Sequence, residues 1–591
     1  MIVPMKKITL LCMESEQENT LKQLQRMGVV HIEPVQRPMT EGLVRLHAEI
    51  DKAQHALSIL SFFEEPAEAE QQRSLTGPES VEHVLSLNTR KQELRDKARA
   101  LQDERDPIAP FGEFDPQTVK RLKEHGVNVR LYHCPGKKLP AFPGEVTVSV
   151  VSRRKSGIYF VALSNDQIEI DCPEIHVPSR SLSKIEKELA QVESELGELD
   201  SQLAKATCYA AQIREHISAL RSDAEFVEAR EGMGYSPSLA YLQGYCPVDR
   251  IEQIREKARE SGWGLVTEDP EDSEQAPTLL RHPKWVRPVK SVLGMLSILP
   301  GYKEVDISSI FLVALTVFFA MIVGDAGYGA VFLVITLLAA ARSKKIPGHA
   351  TALLLIFSIS TIIWGGLNGN WFGIPPDKLS APLSFIYVPW LRSREHTMKV
   401  CFLVGAVHLT IAHGWRAFCT MNSLRALAQL GWVLITWASF FLASTMVLSE
   451  AFPPFAGFFI VIGILLVLLF QTPLNKIKQE WISLATLPLD VISDFVDLMS
   501  YIRLFAVGTA TLAIAKATND MTQMVGFDTP WMIFFSVLIL CIGHGLNIVL
   551  TLLSVLVHGV RLNALEYSGH MGIEWKGRPY SPFGKAPDEA F

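Results

Sequence analysis

The chain changes character near residue 300. Before that point charged residues are spread throughout, and after it apolar runs centred near residues 315, 335, 359, 408, 438, 463, 500 and 545 come one after another. A run of about twenty apolar residues matches the hydrocarbon thickness of a bilayer. A break this sharp predicts a water-facing part succeeded by a lipid-facing part. The overall 48% hydrophobic and 20% charged content over 591 residues only averages the two. A net charge of -6 leaves no footprint for nucleic acid. The eight cysteines, Cys12, Cys134, Cys172, Cys208, Cys246, Cys401, Cys419 and Cys541, show no CxxC pair and read as reduced structural thiols. No metal site and no cofactor are expected, and no GxxxxGK[ST] loop occurs, so no nucleotide site of that kind is expected on this chain.

The first half predicts a mainly helical arm between two small α/β lobes. The opening segment, MIVPMKKITLLCMESEQ, meets acids too early for a signal peptide, so this half is expected in the cytoplasm. KITLLCM, a polar helix over about 14 to 27 and GVVHIEPV give strand, helix, strand; SPSLAYLQGYCPVDRIEQIREKARESGWGLVTEDP gives strand, helix, strand again. Together 1–36 and 236–270 form the expected proximal lobe, while VNVRLYHC, EVTVSVVS and GIYFVALS form a distal lobe over 108–176. Between the lobes, Leu43, Leu46, Ile50, Ala53, Leu57 and Leu60 mark one helical stripe, interrupted by Pro66, Gly77 and Pro78. Leu182, Ile185, Leu189, Val192, Leu196, Leu199, Leu203, Ala206, Ala210, Ile213, Ile217 and Leu220 keep a three-four alternation throughout. The expected fold is a dumbbell whose lobes are joined by an antiparallel coiled coil of 40–105 and 178–232. Residues 1–300 make the arm, 301–567 an eight-helix transmembrane bundle and 568–591 a cytoplasmic tail.

Loop charges set the expected orientation. With the N-terminus inside, the inner loops hold Arg342, Lys344 and Lys345, then Arg416 and Arg425, then Lys476 and Lys478, and the tail holds Lys576, Arg578 and Lys585. The outer loops near 449–454 and 518–529 hold neither Lys nor Arg; Lys378, Arg392 and Arg394 in the outer loop 370–397 are the counterexample.

The last two spans carry the chemistry. In SLATLPLDVISDFVDLMSYIRLFAVGTATLAIAK, Asp490, Asp494 and Asp497 lie close together on one face, and Arg503 sits deep in the apolar stretch. A guanidinium at mid-membrane costs about 2.5–3.5 kcal/mol even on the lenient scale, so it must face protein or water. In CIGHGLNIVLTLLSVLVHGVRLNALEY, His544, Asn547, Thr551, Ser554, His558 and Arg561 step by three and four, the pattern of a single helical face. Such a stripe suits the wall of an ion path; taken singly, Asn547, Thr551 and Ser554 suit hydrogen bonding between helices. FFAMIVGDAGYGA carries glycines for close packing and Asp325, either a water-facing polar group or a packing acid.

These segments carry a resemblance. SYIRLFAVGTATLA resembles the penultimate membrane helix of the V/A-type ATPase subunit called a or I, with Arg503 at the essential arginine. HGVRLNALEY, together with Tyr580, Ser581, Pro582 and Phe583 beyond it, resembles that family's last helix and terminal motif, with Arg561 at the second arginine. APTLLRHP, PGYKEVDIS, FFAMIVGDAGYGA and LAYLQGYCP fit the same family. Many relatives bear a glutamate at Thr551 and a histidine where this chain has a Thr/Ala stretch around Thr511. The resemblance implies a multi-pass membrane stator, expected in a bacterial plasma membrane, that passes H⁺ or Na⁺ against a proteolipid c-ring. Peripheral-stalk subunits, a central-stalk adaptor, the catalytic ATPase head and the lipid bilayer are its implied partners. Arg503 and Arg561 are the implied functional cations, and the ion path is implied to use His544, Asn547, Thr551, Ser554, His558, Asp490, Asp494 and Asp497. The rival reading is a self-contained ion-coupled secondary transporter, which a 300-residue rod and the lack of an inverted repeat disfavour.

Overall fold

A computed structural model describes every residue except 39, 64–74, 136–138, 140–145, 155–156, 166–169, 171, 272–275, 343–346, 375–376, 378–386, 472–484 and 585–591. Pro66, Lys344, Lys345, Lys378, Lys476, Lys478 and Lys585 lie outside the described residues. The chain divides into two compact units, Leu11–Gly28 with Ile32–Gln243, and Met1–Leu10 with Val29–His31 and Gly244–Phe591.

The chain opens on β1 (Met5–Met13), α1 (Gln17–Met27) and β2 (His31–Glu33). Next come α2 (Glu41–Leu60), α3 (Gly77–Ile108), α4 (Pro116–Glu124) and strands β3 (Asn128–Cys134), β4 (Thr147–Arg154), β5 (Gly157–Ser164) and β6 (Glu174–Ile175). Helices α5 (Leu182–Lys205) and α6 (Ala210–Glu231) return the chain, and β7 (Gly234–Ser236), β8 (Leu239–Pro247), α7 (Ile251–Ser261) and β9 (Gly264–Glu268) come after them. One sheet has the order β2-β8-β1-β9 with β7 beside β8; the other is β4-β5-β3-β6. In the second sheet Tyr132 pairs with Phe160 across antiparallel strands, and their rings stack at 5.4 Å.

Capping sets where the long helices begin. The Thr40 hydroxyl accepts the Leu43 N–H at the start of α2, and the Glu79 carboxylate accepts the Thr76 N–H at 2.8 Å at the start of α3. The apolar stripes then meet in order. Leu43 and Ile50 pack with Leu220 and Ala224; Ala53, Ala56, Leu60, Val81 and Val84 with Leu203, Ala210, Ile213 and Ile217; Leu94, Ala98 and Leu101 with Ile185, Leu189 and Val192. Rising numbers on one side meet falling numbers on the other, so the helices run antiparallel. The alternation expected to continue through Ala206 is interrupted by a 3₁₀ turn at Ala206–Tyr209. The Thr207 hydroxyl donates to the Ala204 carbonyl at 2.7 Å, a local bond of the kind that competes with the regular helix.

The other unit continues through α8 (Lys290–Leu296), α9 (Ser308–Val323), α10 (Ala326–Arg342), α11 (Gly348–Asn368), α12 (Arg394–Cys419), α13 (Arg425–Leu448) and α14 (Pro454–Phe470). It ends with α15 (Leu487–Met499), α16 (Ile502–Val525) and α17 (Pro530–Ser554), the last running on as helix to Met571. Among the described residues, five helical stretches are long and apolar enough to cross a membrane: 348–368, 394–419, 425–448, 487–525 and 530–571. Three further apolar helices, α9, α10 and α14, are shorter. The core of this unit joins Phe311, Phe318, Tyr328, Phe402, Tyr501 and Leu504.

Asp325 is a packing acid. It is 2% exposed, and its Oδ1 accepts N–H bonds from Gly327, Tyr328 and Phe372 while Oδ2 accepts from Gly373, all within 3.2 Å. It therefore caps α10 and fixes the loop beyond α11. Gly365 lets α11 reach this cap, since a Cβ there would lie 2.1 Å from the Ala326 nitrogen. The terminal motif is also built in. Tyr580 donates to the Val29 carbonyl at 2.7 Å, the Phe583 N–H donates to Val30 at 2.8 Å, and both rings are buried.

Candidate functional site

Arg503 stands at the second position of α16, just past the Ser500–Tyr501 joint with α15. Its Nε donates to the Ser500 carbonyl at 3.2 Å and its Nη2 to Glu566 Oε1 at 3.0 Å. Arg561 Nε lies 3.4 Å from the same oxygen. The Glu566 side chain is 4% exposed, and its Oε2 has no hydrogen-bond partner among the described residues. With Glu566 ionised, two fixed cations and one carboxylate leave a net charge of +1.

The helix after Ser554 makes this possible. Val555–Gly559 and Leu562–Tyr567 form π-turns. Residues five apart diverge on an α-helix, but a π-turn bonds i to i+5 and brings Glu566 to the side of Arg561. The three-four stepping expected from His544 to Arg561 assumes an α-helix throughout, and the α-helix gives way after Ser554 to the π-turn Val555–Gly559. Beyond it the wider turns shift the phase, and Arg561 is 55% exposed at its side chain.

A second polar group gathers along α17. His544 Nδ1 meets the Tyr328 hydroxyl at 2.7 Å, and His544 Nε2 meets Asn519 Oδ1 at 3.2 Å. Asn547 Nδ2 donates to the Tyr328 hydroxyl and to the Thr511 carbonyl, each at 2.9 Å. The Thr551 hydroxyl donates to the Asn547 carbonyl at 2.7 Å and touches the Thr511 hydroxyl at 3.2 Å. The Thr511 and Thr551 hydroxyls thus face each other between α16 and α17. Ser554 is half-buried, and His558 is half-buried with a buried Nδ1 that has no partner among the described residues.

The three aspartates divide. Asp494 is buried and accepts from the Thr436 hydroxyl at 2.9 Å and the Ser439 hydroxyl at 3.2 Å. Asp497 meets His570 Nε2 at 3.1 Å, and Asp490 is half-buried one turn before Asp494.

Comparison with known proteins finds two relatives of nearly the whole chain. The V-type ATP synthase subunit I 1 of Treponema pallidum is 30% identical over 623 residues, covering 99% of this chain and 100% of that one. The V-type ATP synthase subunit I of Borreliella burgdorferi is 30% identical over 612 residues with the same coverage. The chain belongs to the V/A-type ATP synthase subunit I family. The A-type subunit I of Methanocaldococcus jannaschii is 27% identical over 446 residues, 69% of this chain and 64% of that one. A crystal structure of the cytoplasmic N-terminal domain of subunit I, homolog of subunit a, of V-ATPase covers 44% of this chain and 99% of that chain at 16% identity and a TM-score of 0.22. No family model matches.

Within this chain, sequence reasoning missed Glu566, Tyr328, Asn519, His413 and His570. Glu566 stands in the quoted ALEY segment, but only the π-turn reveals its spacing to Arg561. Tyr328 stands in GDAGYG, a segment read for its glycines. A tyrosine hydroxyl inside an apolar span was the available signal, since a buried phenol needs a partner.

Proposed function

We propose that this chain is the membrane stator of its rotary ATPase, carrying H⁺ or Na⁺ past a proteolipid ring while partner subunits make or hydrolyse ATP. The observation that supports this most is the pair of permanent guanidiniums sharing one buried carboxylate, Arg503 and Arg561 on Glu566. Arg503 cannot lose its proton in a protein. It can only exchange one carboxylate for another. A ring carboxylate arriving at Arg503 competes with Glu566 for Nη2, releases its ion as it pairs, and recovers an ion when it moves on. A cation that never deprotonates also blocks direct leakage. Each charge crossing is worth about 2.3 kcal/mol per 100 mV.

The two polar groups flanking the arginines supply candidate walls for separate half-channels. Asn519, His544, Asn547, Thr551 and Thr511 would line one, Asp490, Asp494 and Asp497 the other, with Ser554 and His558 between. The remaining parts of the proposal concern architecture. Residues 301–567 cross the membrane eight times, the three shorter helices included, with the N-terminal domain and C-terminus in the cytoplasm of a bacterial cell. Residues 1–300 serve as a dumbbell-shaped, coiled-coil arm that resists torque through peripheral-stalk subunits, and a central-stalk adaptor connects ring to head. Helices of 16 or 17 residues sit at the lower limit for spanning, so these passes need a locally thin or protein-lined path.

Purification from the native membrane tests the proposal. Co-purification of ATPase head subunits and a small proteolipid ring is expected. A functional homo-oligomer lacking both would contradict it and point to a secondary transporter.

A further inference from the structure

Four helical segments converge on two histidines that no transport step above requires. His413 comes from α12, Gln429, Thr436 and Ser439 from α13, Asp494 and Asp497 from α15, and His570 from the end of the last helix. His413 Nε2 and His570 Nδ1 face each other at 3.0 Å. Their outer nitrogens are committed elsewhere. His413 Nδ1 lies 3.0 Å from Gln429 Oε1, and His570 Nε2 lies 3.1 Å from Asp497 Oδ2. With the Gln429 carbonyl oxygen facing His413 and Asp497 as a carboxylate, both outer nitrogens are placed to donate. In that tautomer the two inner nitrogens present lone pairs to each other, a pairing that a shared proton or a metal ion between them would satisfy.

Asp494 closes the third side. One ligand atom each from His413, Asp494 and His570 lie within 4.8 Å of one another, with His413 and Asp494 buried. The Thr436 and Ser439 hydroxyls orient the carboxylate. Arg416, the nearby cation, is engaged with the His570 carbonyl at 3.1 Å. Each prospective ligand thus already has the outer hydrogen-bond partner that metal-bound imidazoles and carboxylates characteristically have. Two carboxylates, Asp494 and Asp497, balance a divalent charge.

We propose that His413, Asp494 and His570 form a binding site for a divalent transition metal of the zinc class. Two imidazoles exclude calcium and magnesium, which take oxygen ligands, and three protein donors leave a fourth position open. A bound ion would tie α12, α15 and the end of the last helix together.

The test uses the full chain in detergent, stripped with chelator and titrated with Co²⁺, whose visible absorption reports four-coordinate binding, then competed with Zn²⁺. One saturable equivalent is expected. His413→Gln should weaken it at least tenfold, and Asp497→Asn, which alters only an outer partner, by about 10–100-fold. Zinc X-ray absorption on the unaltered chain gives an answer independent of any variant. A shell of N and O neighbours at about 2.0–2.1 Å with imidazole scattering supports the site, while sulfur at about 2.3 Å assigns the metal to cysteine and overturns it. Absence of saturable binding, or unchanged binding in His413→Gln, also overturns it and leaves a shared proton between the rings. None of these measurements involves transport, so their failure is separate from failure of the stator proposal.

Discussion

Helix α6 and helix α17 are similar in length and opposite in construction. In α6 the buried side chains include Ile213, Ile217 and Leu220, while Arg214, Glu215, Arg221, Asp223 and Glu228 are exposed. In α17 the buried side chains are Ser536, Asn547 and Thr551, while Leu546, Val549, Leu550 and Leu553 are exposed. Water rewards the first arrangement by about 25 cal/mol for each Å² of apolar surface removed. Hydrocarbon offers no such reward, and there the groups that must be hidden are the polar ones. The same side chains therefore exchange roles across the boundary near residue 300. An arginine buried in the second region needs a carboxylate, whereas one on the arm needs only water.

The largest expected effect comes from breaking the rule in the arm. Ile213→Asn loses the burial of a fully enclosed side chain and strands an amide, about 4 kcal/mol together. Native-state hydrogen exchange should show that loss across α6 and its partner α2; a change under about 1 kcal/mol would mean that the two helices do not form one core. Val549→Asp breaks the rule from the other side. At 62% exposure the substitution would be nearly neutral in water, but at mid-membrane it should cost about 3 kcal/mol in a translocon insertion assay with glycosylation reporters. Unimpaired insertion would place Val549 in water. Asn547→Leu sharpens the comparison, because polar contacts between membrane helices average only about 0.6 kcal/mol. A loss near 1 kcal/mol is expected in thermal unfolding of the purified chain, and a loss above about 3 kcal/mol would mark the Tyr328–Asn547–Thr511 junction as a structural keystone.

The smallest effect is a pH response confined to the arm. Backbone and side-chain hydrogen bonding at Thr76 holds the Glu79 carboxyl below its ordinary value of 4.5. A depressed folded value means that the contribution is present above the unfolded range and is lost as pH falls through the folded one. Amides in the first turn of α3 should accordingly lose protection below about pH 4.5 in the unaltered chain and be insensitive there in Glu79→Gln. Equal responses in both would remove the cap from the account.

The same contrast decides which parts were legible in the sequence. The stripes Leu43–Leu60 and Leu182–Leu220 are periodic, so their burial could be read directly, apart from the 3₁₀ turn that Thr207 introduces. Arg503 was legible because a lone guanidinium in an apolar span is costly whatever surrounds it. Glu566 was not, because a π-turn alters the spacing rule and leaves no mark in composition. His413 and His570 were not, because they lie 157 positions apart and meet only through packing.

The central claim is that Arg503 works as a fixed charge at the ring, and one measurement addresses it. In reconstituted vesicles holding the whole complex, ATP-driven ion uptake should vanish with Arg503→Gln while subunit composition and ATPase head content stay intact. Arg503→Lys should fail or nearly fail, because lysine loses the planar fork and can shed its proton when buried. Uptake at near-normal rates in an assembled Arg503→Gln complex would contradict the account and leave Arg503 as a structural partner of Glu566.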